Sequence, residues 1–159
     1  MTFQSDANSP SSHALLSHTD SIAAAWQDFL LLVGRILLGW IFFQSGWNKL
    51  GTIPAYSKTF PGRGLQEWMA YVSVPAEFLG GLLLILGFAT RYTILVMLFF
   101  MIVASFSSHA YWNVADMRAR AGQSSQFWKN VSMTGGLIVL FVTSAGRISL
   151  DRILFRSKS

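Results

Sequence analysis

The chain contains no cysteine. That excludes a thiol relay, an iron–sulfur cluster, thiolate ligation of haem and any disulfide exchange run by this chain alone. Redox chemistry, if present, has to come from a bound cofactor. Charge is also scarce: 12% of residues are charged and 52% hydrophobic, where soluble domains carry about 25% charged residues. Met1 to Asp20 hold no Lys or Arg. Without a basic n-region, and with an apolar stretch that starts late and is of span length, this start is not expected to be a secretory signal.

What the chain does have is apolar length. Phe29–Asn48 is broken by one charge, Arg35, and Trp68–Thr90 by one charge, Glu77. Tyr92–Ser108 and Asn130–Gly146 carry no charged side chain. A bilayer core of about 30 Å is crossed by roughly 17 to 25 helical residues. Backbone groups in lipid must be satisfied within their own segment, so each run is expected to be a helix. The predicted fold class is an all-α membrane protein, an antiparallel bundle of four transmembrane helices.

The remaining residues are too few for a second core. Residues 1–27 read as a disordered polar N-terminal tail, 28–147 as the four-helix transmembrane domain and 148–159 as a basic amphipathic C-terminal tail. His13 and His18 fall in the first tail and are expected to be solvated. Gly51–Glu67, rich in Gly, Pro and aromatics, reads as a loop with an interfacial segment. Ser73 and Pro75 suit a helix start, which moves the beginning of the second helix towards Ser73. Arg91 leaves almost no loop between the second and third spans, and Ala110–Gln126 reads as a polar connection.

The net charge of +5 sits on Lys and Arg at the span ends, where they meet phosphate headgroups. Lipid is therefore the expected partner, and nucleic acid is not. Leu150, Ile153 and Leu154 share one helical face, with Arg152 and Arg156 elsewhere, as in a headgroup-level anchor. This basic tail favours cytoplasmic termini for a multi-pass protein of the inner (plasma) membrane.

Antiparallel threading sorts the polar groups by depth. Lys49 ends the first span, Glu77 lies early in the second, His109 closes the third and Lys129 opens the fourth, so all four belong to the half opposite the termini. Arg35, Arg91 and Arg147 belong to the terminal half. Arg35, Gly39, Phe42, Gly46 and Lys49 share one helical face, and Gly80 and Gly81 lie one turn from Glu77. Small-residue faces pack inward in membranes. Glu77 should therefore point into the bundle, where it needs a cation or a proton; Lys49, Lys129 and Arg35 are the available partners.

A lone intramembrane His does not make a bis-histidine haem site, and Glu77 with His109 under-ligands a metal. No haem, iron–sulfur or metal site is predicted. A quinone headgroup fits better: its carbonyls take donors from Lys or His, and its reduction takes protons that Glu or His can relay. Glu77 and His109 are the candidate catalytic residues; Lys49, Lys129 and Arg35 are the candidate cofactor-binding residues. Anchoring and packing roles compete for each of the cations.

GRILLGWIFFQSGWNKLG at Gly34–Gly51, PAEFLGGLLLILGFATR at Pro75–Arg91, His109 at the close of the third span and GRISLD at Gly146–Asp151 together resemble the DoxX family of small membrane proteins. The resemblance covers Leu31 to Asp151, with matching positions at Arg35, Lys49, Glu77, Gly80, Gly81, Arg91, His109, Gly146 and Asp151. It implies a four-helix inner-membrane protein. It also implies a link to quinone-dependent oxidoreductases: the name-giving member is tied to a thiosulfate:quinone oxidoreductase, and others are described as membrane partners in oxidoreductase assemblies. The expected function is a membrane subunit presenting a quinone to a soluble or membrane-bound oxidoreductase partner. A non-catalytic scaffold or assembly factor is the alternative. A proton or small-solute carrier is a third reading, and it would require a homo-oligomer.

Overall fold

The computed structural model describes residues 10–155, and every regular element in that range is helical. The long helices are α1 (Pro10–Leu50), α3 (Met69–Leu86), α4 (Thr90–Ser108) and α5 (Met117–Thr143). A short α2 (Ile53–Ser57) and a single 3₁₀ turn at Pro61–Arg63 fill the connection after α1, and α6 (Leu150–Phe155) follows α5. Three stretches are long and apolar enough to cross a membrane: Ser17–Leu50, Met69–Leu86 and Thr90–Asn113. The predicted fourth span differs. The first half of α5 carries Arg118, Arg120 and Lys129, and its apolar character begins after Asn130.

Three element boundaries depart from the sequence reading. The polar start is helical from Pro10, so residues 10–27 extend α1 where a disordered tail was expected; residues 1–9, and the expectation for them, lie outside the described residues. With 41 residues, α1 is about 60 Å long at 1.5 Å per residue, twice the hydrocarbon thickness. One end must project, and Ser17 to Gln27 are exposed there, His18 among them. Helix α3 starts at Met69, not Ser73, because the carbonyls of Gln66, Glu67 and Trp68 accept from the amides of Met69, Ala70 and Tyr71. That turn is closed before Pro75, which then sits inside the helix and costs it one backbone donor. Much of the predicted Ala110–Gln126 connection belongs to α5, started by Asp116, whose carboxylate accepts from the Ala119 amide at 2.8 Å.

Close approach between α1 and α3 follows from glycine. A Cβ at Gly46 would lie 2.5 Å from the Phe78 amide nitrogen, one at Gly81 2.3 Å from that of Phe43, and one at Gly39 2.7 Å from the Gly81 carbonyl oxygen. These contacts run in opposite chain directions and bring backbone onto backbone, the packing available where lipid removes the hydrophobic drive between helices. Phe42, Leu84, Ile94, Met97, Met101 and Leu137 form the core between the helices. Leu37, Trp40, Leu79, Leu95, Phe99 and Val139 face outward. Such an apolar exterior would be costly in water and is natural against acyl chains.

The hairpin between α3 and α4 is as tight as expected. Gly87, at φ 65°, ends α3, and Ala89, at φ 46°, precedes α4. Asp151 holds the turn: its carboxylate accepts from the amides of Ala89 (2.6 Å) and Thr90 (2.9 Å), and its own amide donates to the Gly87 carbonyl at 2.9 Å.

Candidate functional site

At the end of the helices remote from this hairpin lies a cavity of about 430 Å³. Its floor is apolar, with Phe42, Met101 and Met133 from the core. Its polar lining includes Lys49, Glu77, His109 and Lys129. The depth argument thus brings together four of the five predicted site residues.

Glu77 lies on the buried face of α3 and is 7% exposed. Of the three cations available to it, Lys49 is the partner: Nζ is 2.7 Å from Oε2 of Glu77. The ammonium also donates to Ser45 Oγ at 2.8 Å and lies 5.4 Å from the centre of the Tyr56 ring. Ser45 sits one helical turn before Lys49, which is why it can reach the same ammonium. His109 ends α4, and its Nδ1 is 2.8 Å from Gln123 Oε1 on α5. That contact orients the imidazole and leaves Nε2 for other partners. Lys129 is a rim residue, exposed and bonded to Gln126 Oε1.

Arg35 is not part of this site. It is fully buried at the opposite end, with Nη2 donating to the carbonyl of Ile148. Its guanidinium occupies the space beside Gly87, where a Cβ would come within 1.7 Å of Nη1. Arg35 therefore lies outside the cavity it was expected to line, because the length of α1 separates it from Lys49 by about 20 Å.

Several lining residues were not foreseen. Arg63 and Tyr56 come from the α1–α3 connection, which has no periodicity to betray which side chains turn inward. Arg63 Nη1 donates to Tyr56 Oη at 3.2 Å and to Ser108 Oγ at 3.3 Å, tying the connection to the end of α4. Asn130, buried on α5, donates to Ser105 Oγ at 3.2 Å. Among the described residues, no three His, Cys, Asp or Glu side chains converge.

A cavity with an apolar floor and a rim of donors around one paired carboxylate sits on three membrane-length helices. The DoxX family model matches residues 30–110, which contain Lys49, Glu77 and His109. The chain belongs to the DoxX family. It is similar to two Escherichia coli (strain K12) proteins: inner membrane protein YqjF, 31% identical over 80% of this chain and 94% of that protein, and inner membrane protein YphA, 32% identical over 77% and 89%. A shorter match, 38% identical over 38% of this chain and 45% of the relative, is to "Putative oxidoreductase CatD" of Bacillus subtilis (strain 168). No solved structure matches. As a DoxX membrane protein, the chain has the lipid bilayer as its surroundings.

Proposed function

We propose that this DoxX protein is an inner-membrane subunit that holds a quinone headgroup in the cavity and serves an oxidoreductase partner. The observation that carries this reading is the convergence of Lys49, Glu77, His109 and Lys129 on one apolar-floored cavity. The floor suits a ring and the start of an isoprenoid tail. Lys49 can donate to one carbonyl oxygen, and His109, whose Nδ1–H is directed at Gln123 Oε1, can donate to the other from Nε2 only when that nitrogen also carries a proton. Reduction to the quinol consumes two electrons and two protons; the electrons would come from the partner enzyme, and Glu77 and His109 are the groups placed to pass protons. The name of CatD supports the oxidoreductase link, and the names of YqjF and YphA support the inner-membrane placement.

In this reading α5 is the fourth span of an antiparallel bundle. Its 27 residues give a length of about 40 Å, enough to cross hydrocarbon and headgroups. The polar first half turns Asn130 and Gln126 to the cavity, and Leu137 is buried in the core. Protein purified in mild detergent should carry co-extracted quinone, and membranes with Glu77→Gln should transfer electrons more slowly. Absence of quinone together with unchanged transfer would overturn the assignment.

A scaffold role is the second reading, favoured by the Lys49–Glu77 pair, which can serve as a packing device between α1 and α3. Under that reading Glu77→Gln lowers recovery of the assembled complex and leaves turnover per complex unchanged.

A further inference from the structure

The cavity's charge balance does not match a neutral headgroup. Glu77 neutralises Lys49, yet Arg63 and Lys129 also line the space. Among the described residues, the ion pairs within 4 Å are Lys49–Glu77 and Arg147–Asp28, so neither Arg63 nor Lys129 meets a carboxylate. The two cations differ in kind. Lys129 is exposed and can be solvated; Arg63 is half-buried and clamped. Its guanidinium lies 5.3 Å from the centre of the Tyr56 ring and 5.7 Å from that of Phe60, and Nη1 is held by two hydroxyls. The clamp uses one nitrogen and the planar face and leaves Nη2 and Nε as further donors.

A neutral carbonyl needs a donor, and Ser, Gln and Asn supply donors here at lower desolvation cost. A pre-oriented guanidinium at the edge of an apolar cavity gives its full return only against negative charge, through a charge-assisted pair of hydrogen bonds. We propose that Arg63, backed by Lys129, makes the cavity selective for a quinoid headgroup that bears a negative charge, either an ionised hydroxyquinone or a deprotonated reduced ring. The inference rests on the quinone reading and narrows its ligand class.

The test uses the full chain in nanodiscs of neutral phosphatidylcholine, with empty nanodiscs correcting for partition into lipid. The probes are lawsone, a hydroxynaphthoquinone ionised at neutral pH, and its neutral methyl ether. Lawsone is expected to bind at least about tenfold tighter than the ether, and added salt should shrink the ratio. Arg63→Gln should remove most of that preference by weakening lawsone far more than the ether, and Arg63→Lys should restore part of it. Equal affinity for both probes overturns charge selection and leaves quinone binding standing. Failure of both probes to bind overturns the quinone reading itself. Displacement of lawsone by inorganic sulfate at comparable concentration overturns the quinoid class, since charge alone would then suffice. If Arg63→Gln unfolds, the wild-type probe ratio and its salt dependence decide.

Discussion

Lys49 reaches from the end of α1 to Glu77 on α3, placing an ammonium 2.7 Å from the carboxylate at the edge of the cavity. The two residues stand 28 positions apart in the chain and meet because glycine contacts draw their helices together. Removing one partner leaves a buried charge without compensation, which typically costs about 3 kcal/mol or more. Lys49→Met should therefore destabilise the protein by roughly 2–3 kcal/mol, discounted for the partly exposed lysine. The double variant Lys49→Met/Glu77→Gln should recover more than half of that loss. Thermal unfolding followed by the fluorescence of the six tryptophans reads both, and equal losses in the single and double variants would contradict the pairing.

Helix approach at Gly46 makes a second expectation. A Cβ there meets the Phe78 backbone at 2.5 Å, and backbone cannot swing aside as a long side chain can. Gly46→Val should lower stability by about 3 kcal/mol or block folding, the upper range for overpacking. Gly135→Val, at a position with nothing within 4 Å, should cost less than about 1 kcal/mol. Comparable losses from the two would sink the account of close packing.

Gly87 combines a backbone constraint with close neighbours, and a second variant can separate out the Arg35 contact. Its φ of 65° disfavours any side chain, and a Cβ would also collide with the Arg35 guanidinium. Gly87→Ala should destabilise by about 1 kcal/mol from the left-handed backbone and by a further roughly 1–3 kcal/mol from the collision. Arg35→Ala in the Gly87→Ala background removes the collision with the guanidinium and leaves the backbone term and the approach to Ser149 Cβ at 2.7 Å. The penalty for Gly87→Ala should consequently be smaller in the Arg35→Ala protein than in the wild type, as measured by a double-mutant cycle.

Topology can be read from single cysteines, because the chain has none of its own. Arg91 beside the α3–α4 hairpin and Asn113 after α4 are both exposed and lie at opposite ends of α4. In intact spheroplasts a membrane-impermeant maleimide should label Asn113→Cys, and it should reach Arg91→Cys after permeabilisation. The reverse pattern would place the termini outside. Labelling of both sites from one side would remove α4 as a span.

Composition and periodicity were enough to read helix, membrane and which polar groups share one end. Three of the apolar runs are membrane-length helices, the Arg35–Lys49 face is the buried face of α1, and Lys49, Glu77, His109 and Lys129 meet at one end, because lipid leaves a chain little choice but to bury its few charges together at common levels. Helix length along polar sequence was less legible: residues 10–27 and the first half of α5 have no apolar stripe strong enough to announce them. Tertiary structure alone decided that Lys49 is Glu77's partner, that Arg35 braces Gly87 at the far end, and that Arg63 turns over the cavity. Those outcomes depend on which helices touch and how a connection folds back across them, and no local pattern in the chain encodes a distance between residues on different helices.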